Sequence, residues 1–206
     1  MKPDGHWPFH PWLMPVSRGD CHAELARSAD YHRGRWGGGS ATAEEGAFLF
    51  GLVCALRPAR CLETGTETGY TAAWIASALQ LLGAGHLHTV ERDLAAANVA
   101  ITTLCNVGLG NTVTVWNDES LHFIARLRLP IDFAFLDTHI EHRAAEMEAL
   151  MPHLSDRAVV AVHDTNPAHP LAHGYDLDDA FRGMGLDVLH IPTPRGMTLL
   201  RKRGQP

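Results

Sequence analysis

From residue 59 onward, short apolar runs alternate with longer amphipathic stretches almost without interruption. Runs rich in valine, leucine, isoleucine and phenylalanine at 60–64, 86–91, 112–117, 131–137, 158–163, 187–191 and 197–201 read as strands. The intervening stretches 70–82, 93–107, 119–127, 141–153 and about 176–184 read as helices. The run Ala158-Val-Val-Ala-Val162 is apolar on both faces, which suits a parallel strand covered by helices on each side. Only Pro192-Thr-Pro-Arg-Gly196 separates the last two strands. So short a link cannot carry a right-handed parallel crossover, so the final strand runs antiparallel to the sixth. The pattern predicts a doubly wound α/β domain with a mostly parallel seven-stranded sheet and an antiparallel final strand.

The chain before this region reads differently. Residues 1–39 contain Pro3, Pro8, Pro11 and Pro15, three scattered tryptophans and a closing Gly37-Gly38-Gly39. That density of breakers excludes a long regular element and predicts an irregular segment, serving as a lid or a homodimer contact. Ser40 then reads as a helix N-cap, with Glu44 and Glu45 in the first turn and Phe48, Leu49, Leu52 and Val53 on one face. Residues 40–206 form the second unit, of a size that one domain can bury around a single core. A charge of −6 argues against nucleic acid as the main partner, because phosphate binding needs a basic face. Four cysteines without a C-x-x-C pair read as reduced thiols, and no apolar run is long enough to span a bilayer. The N-terminus has no apolar stretch of the signal-peptide kind, so a cytoplasmic soluble protein with no membrane partner is expected.

The first strand breaks into Cys61-Leu-Glu-Thr-Gly-Thr-Glu-Thr-Gly-Tyr-Thr71, a strand–loop–helix turn with glycines four apart. A dinucleotide site wants G-x-G-x-x-G, whose second and third glycines would fall here on Glu67 and Tyr70. That reading fails. What remains, Leu62-Glu63-Thr64-Gly65-Thr66-Glu67-Thr68-Gly69-Tyr70-Thr71, resembles the first motif of class I S-adenosylmethionine-dependent methyltransferases. It is most similar to the small O-methyltransferases that read L-E-x-G-T-x-x-G-Y-[ST], and departs from them at Glu67, where a small residue is usual. The resemblance covers about residues 40–203 and implies a Rossmann-like fold. It also implies S-adenosyl-L-methionine as cofactor, bound in part by Glu63, Gly65, Thr66, Gly69, Tyr70 and Thr71. Amides at the start of the helix after Gly69 are suited to its carboxylate.

The carboxyl ends of the other strands supply the remaining candidates, since open α/β sheets bind ligands there. Strand two ends in Glu91-Arg92-Asp93, and a carboxylate 28 residues after Glu63 is placed, as the resemblance implies, to accept from both ribose hydroxyls, with Arg92 beside it. Strand three ends in Asn117-Asp118-Glu119-Ser120, where the resembled family meets adenine; either Asp118 or Ser120 contacts the base, or the stretch only caps the next helix.

Strands four and five end in Asp137-Thr-His139 and His163-Asp164. In metal-dependent small O-methyltransferases and macrocin-type sugar methyltransferases, an Asp after strand four and two polar groups after strand five bind magnesium. A histidine at the first strand-five position departs from that pattern and favours softer ions than magnesium. Three readings stay open. Asp137, His163 and Asp164 hold a divalent metal such as magnesium or manganese; or His139 or His163, with Asp137, serves as catalytic base; or the histidines only cap neighbouring elements.

The expected activity is methylation of a hydroxyl oxygen on a small-molecule acceptor, in small-molecule biosynthesis. Nitrogen or carbon methylation, another use of the sulfonium, or a non-catalytic cofactor-binding partner are the alternatives. The loop 165–175, with His169 and His173, and the following Tyr175 and Asp176 are placed to line the acceptor pocket.

Overall fold

The computed structural model describes residues 41–168 and 177–204. In chain order its elements are α1 (Ala43–Leu56), β1 (Arg60–Thr64), α2 (Tyr70–Leu82), β2 (His86–Glu91), α3 (Leu94–Asn106), β3 (Val113–Asn117) and α4 (Ser120–Ile124). Then follow β4 (Ile131–Leu136), α5 (Ile140–Leu150), a 3-10 turn (Met151–His153), β5 (Leu154–His163), α6 (Leu177–Gly183), β6 (Leu186–Ile191) and β7 (Met197–Lys202). The strands form one sheet in the order β3-β2-β1-β4-β5-β7-β6. β3, β2, β1, β4 and β5 pair in parallel, and β7 runs antiparallel to both β5 and β6. This is the doubly wound sheet and reversed last strand that the sequence predicts.

Period-two alternation sends each strand's side chains into two cores. Phe133 and Phe135 pack with Leu87, Leu49, Val53 and the α2 residues Ala72, Ile75 and Leu79 on one face. Leu62, Ala134, Leu136 and Val162 pack on the other with Met147, Leu150, Ile124 and Phe181. Both faces of the central strands are therefore covered. No helix among the described residues is long and apolar enough to cross a membrane.

Several boundaries differ from expectation. Thr42, not Ser40, caps α1, while Ser40 and the whole of 1–39 lie outside the described residues. The cap is a reciprocal box: Glu45 N–H donates to Thr42 Oγ1 at 3.3 Å and Thr42 N–H to Glu45 Oε2 at 2.8 Å. β5 starts at Leu154, four residues before the apolar run, with a register shift against β4 that the exposed Asp156 and Arg157 occupy. α5 gives way to 3-10 geometry at Met151, because Pro152 has no N–H for the α-helical bond. α4 closes early through i→i−3 bonds from Arg126 to Phe123 and from Leu127 to Ile124.

α1 reaches the sheet by lying against α2, and Gly46 is the point of closest approach. A Cβ there would sit 2.2 Å from the Trp74 indole nitrogen. Trp74 is held edge-on between Phe50 and Tyr70, with ring centroids 6.5 Å away on each side. Gly46→Ala is expected to destabilise the protein by about 1–3 kcal/mol, read from the urea midpoint at unchanged slope.

Candidate active site

The turn leaving β1 is built around two glycines in left-handed conformation. Gly65 (φ 85°) lets the turn touch the end of β4, where an added Cβ would lie 2.4 Å from the Asp137 carbonyl oxygen. Gly69 (φ 88°) caps α2, and its N–H donates to Thr66 O at 2.9 Å. The first amides of α2 thus open at the sheet's carboxyl edge, where an anionic group is favoured.

Glu63 lies beneath this turn, fully buried. Its register partner Thr89 donates to Oε2 at 2.5 Å, Thr71 donates to Oε1, and Thr66 and Thr89 hydroxyls meet at 2.5 Å. Strand β2, the turn and the first turn of α2 are tied to one carboxyl group. Burial pushes that group up to about 8, against the two threonine bonds and with help from the negative Asp137 and Glu91. On the sheet's other face Glu146 of α5 does the same work. It is buried, is shifted upward by that burial, and accepts from Thr64 at 3.2 Å and Thr138 at 2.9 Å. Ser120 also turns toward Glu146.

Glu91 stands at the open end of β2. Its Oε2 accepts the Glu67 N–H at 2.8 Å and its Oε1 the Asp93 N–H at 2.9 Å, so both oxygens are oriented and each keeps lone-pair capacity for another donor. Glu67 supplies its amide from a left-handed backbone (φ 50°). Arg92 follows, its side chain exposed and its carbonyl accepting from Asn117 at 3.0 Å. Asp118 is committed elsewhere: it accepts the Glu119 N–H at 2.9 Å, contacts the His122 ring at 2.8 Å and pairs with Arg126. The helix that follows has Glu119 as its N-cap and no side-chain cap bond, so neither Asp118 nor Ser120 serves as its cap.

The ends of β4 and β5 converge on a buried charge cluster. His163 is fully buried, with Nδ1 2.9 Å from Asp137 Oδ1 and Nε2 3.1 Å from Glu45 Oε2. Bonds to two carboxylates require both ring nitrogens to carry protons. Burial alone would lower its pKa, but the charge and bond of Asp137, the bond of Glu45 and the charge of Asp164 raise it to about 9. Burial would raise the pKa of Glu45, yet the bond and charge of His163, joined by the Thr42 amide and Thr193, hold the carboxyl at about 2. Arg143 of α5 has a side chain only 2% exposed. It donates to Asp137 Oδ1 and Asp164 Oδ2, each at 3.2 Å, to Thr138 O at 2.7 and 3.1 Å, and to the His163 carbonyl. Arg195, in the β6–β7 link, grips Asp164 through Nε at 2.5 Å and NH2 at 2.9 Å. Three acids face three cations. His139, by contrast, is exposed at the start of α5.

Beside this cluster lies a cavity of about 810 Å³ lined by Ile140, Asn166, Leu177, Asp178, His190 and Met197 among others.

Residues 62–165, half of the chain, match a family model described as a methyltransferase domain. The chain belongs to this methyltransferase family. No curated protein matches it. Among solved structures it is similar to the O-methyltransferase TomG of Streptomyces achromogenes, bound to S-adenosylmethionine, at 23% identity over 92% of each chain with a TM-score of 0.74. An O-methyltransferase of Bacillus cereus, with S-adenosylhomocysteine, is similar at 17% identity over 92% of this chain and 93% of that one, TM-score 0.74. Cofactor-bound Rv0187 from MTB is similar at 25% over 93% of each, TM-score 0.75. At such identities the likeness is one of fold.

Within this methyltransferase, the expected metal ligands do come together: ligand atoms of Asp137, His163 and Asp164 lie within 4.8 Å of one another. They do not fit a divalent ion, because guanidinium groups hold both oxygens of Asp164 and Oδ1 of Asp137, and both ring nitrogens of His163 are taken up by Asp137 and Glu45. The same burial removes His163 as a base for an acceptor and leaves His139 as the accessible histidine of the pair. His169, His173, Tyr175 and Asp176 lie outside the described residues.

Sequence reasoning missed Arg143, Glu146, Glu45 and Arg195. A signal existed for the first two: Arg143 and Glu146 share the inward stripe of α5 with Ile140, Met147 and Leu150, where a charged residue needs a buried partner.

The raised pKa of Glu63 sets a pH dependence. The folded state holds a proton that the unfolded chain, with its carboxyl near 4.5, releases. The resulting stability is complete below about pH 4.5 and is lost as pH rises through about 8. Glu63→Gln, whose amide can donate to one threonine and accept from the other, is expected to flatten the fall of melting temperature across that window. His163 titrates in the same sense, so the difference between wild type and variant is the quantity to read.

Proposed function

We propose that this methyltransferase uses S-adenosylmethionine and transfers its methyl group to a hydroxyl oxygen of a small molecule. The observation that carries the reading is Glu91, a carboxylate pre-oriented by two backbone amides on the strand next to the glycine turn. Ribose hydroxyls are donors that such a group accepts, and each charge-assisted bond contributes about 1.5–3 kcal/mol. The amides at the start of α2 suit the methionine carboxylate, and Gly65 lets the turn that carries them close against the end of β4. The sulfonium methyl is then directed at the ends of β4 and β5. TomG and the Bacillus cereus protein, similar in fold, are O-methyltransferases.

The acceptor enters through the neighbouring cavity, whose floor is apolar at Ile140, Leu177 and Met197 and whose rim carries Asp178 and His190. Catalysis is chiefly alignment of the acceptor oxygen behind the sulfonium methyl. The oxygen–methyl bond forms as the sulfur–methyl bond breaks, neutral S-adenosylhomocysteine leaves, and the acceptor proton passes to His139 and on to solvent. The enzyme acts in the cytoplasm on a small molecule.

Calorimetry with S-adenosylhomocysteine tests the cofactor site. Wild type is expected to bind, and Glu91→Ala to bind about 10- to 150-fold more weakly. An unaltered dissociation constant in the variant would remove Glu91 from the site, and a wild type indifferent to the ligand would refute the assignment. Methyl-labelled cofactor and a panel of hydroxylated acceptors then report whether the label arrives on oxygen.

A further inference from the structure

We infer that methyl transfer in this protein is metal-independent, with Arg143 and Arg195 standing as the resident cations of the Asp137–His163–Asp164 cluster. The inference rests on the function proposed above and concerns the same site.

The position of Arg143 is decisive. One of its terminal nitrogens lies 3.2 Å from an oxygen of Asp137, 3.2 Å from an oxygen of Asp164 and 2.7 Å from the Thr138 carbonyl. A divalent ion bridging those carboxylates at about 2.0–2.6 Å would have to share that point with the guanidinium. Arg143 cannot withdraw easily. Its side chain is 2% exposed, and its other nitrogens donate to the Thr138 and His163 carbonyls. Arg195 takes both oxygens of Asp164 as well.

The third ligand is lost for a different reason. Both ring nitrogens of His163 are engaged, Nδ1 2.9 Å from Asp137 and Nε2 3.1 Å from Glu45, so neither is turned to an open coordination position. Glu45, Asp137 and Asp164 are already matched by His163, Arg143 and Arg195. A dication added to that balance would leave excess charge in a buried site, a costly arrangement. The acceptor oxygen therefore gains nothing from a Lewis acid in this cluster. Its activation falls to orientation and to a solvent-accessible base.

Manganese reports its own binding by electron paramagnetic resonance and is the probe. The full-length wild type, stripped with chelator and titrated with Mn²⁺, is expected to leave the free-ion signal undiminished. Its melting temperature and its affinity for S-adenosylhomocysteine are expected to be the same with and without chelator. Arg143→Gln combined with Arg195→Gln is expected to gain Mn²⁺ binding, since it strips two cations from Asp137 and Asp164. If that variant does not fold, the wild-type titration alone decides. Stoichiometric Mn²⁺ uptake by wild type that disappears in Asp164→Asn overturns the inference. Failure of S-adenosylhomocysteine to bind at all would count instead against the proposed function.

Discussion

A guanidinium buried as deeply as Arg143 must find an acceptor for every donor it turns inward, and the fold is arranged so that it does. Its acceptors come from the end of β4, the end of β5 and the turn that starts α5. Removing one partner from such a set costs about 3–5 kcal/mol, because the remaining charge is stranded. The network thereby fixes the relative height of two neighbouring strand ends. Arg195 extends it to the β6–β7 link and His163 extends it to α1. Elements far apart in sequence meet at one neutral knot of charge.

The cofactor side uses a different economy of forces. Glu63 and Glu146 lie on opposite faces of the sheet and each gathers hydroxyls from the surrounding loops. Neither reaches solvent, so each serves as a positioning residue. The residue left free to meet a ligand is Glu91, whose carboxylate is aimed by amides rather than by side chains. Two buried carboxyls thus stiffen the turn, and a third at the surface is left to recognise.

The alternation of strands and helices was legible because each element is long enough to show its period; β1, β2 and α2 fall where the apolar pattern puts them. Reversal of β7 followed from the short proline-rich link alone. Local hydrogen-bond geometry was harder. The T-x-x-E signature at Thr42–Glu45 is visible in hindsight, but Ser40 has equal capping chemistry and the apolar face does not discriminate between them. β5 opens on the buried Leu154 and then runs through Ser155, Asp156 and Arg157 before its apolar run, so hydrophobic pattern could not mark its start. At the site, Asp137, His163 and Asp164 do come together at the strand ends while His139 stands apart, and the cluster's other two cations were not foreseen. Arg143 is marked as buried by its place on the inward stripe of α5, but spacing does not name β5 as its partner, and Arg195 in a hairpin carries no such mark. A metal fitted the acids as seen in sequence because the compensating charge was hidden elsewhere in the chain.

A single oxygen of Glu45 has two tasks: it accepts the Thr42 amide that starts α1 and it faces the His163 ring. The first helical turn after residue 41 is therefore wired electrically to the strand ends. Were that turn to unwind or lift, the cluster would lose an acid and carry an uncompensated positive charge in its interior. Whatever pulls on the chain just upstream is felt at the Asp137–His163–Asp164 cluster as a change of field, over a path of a few residues.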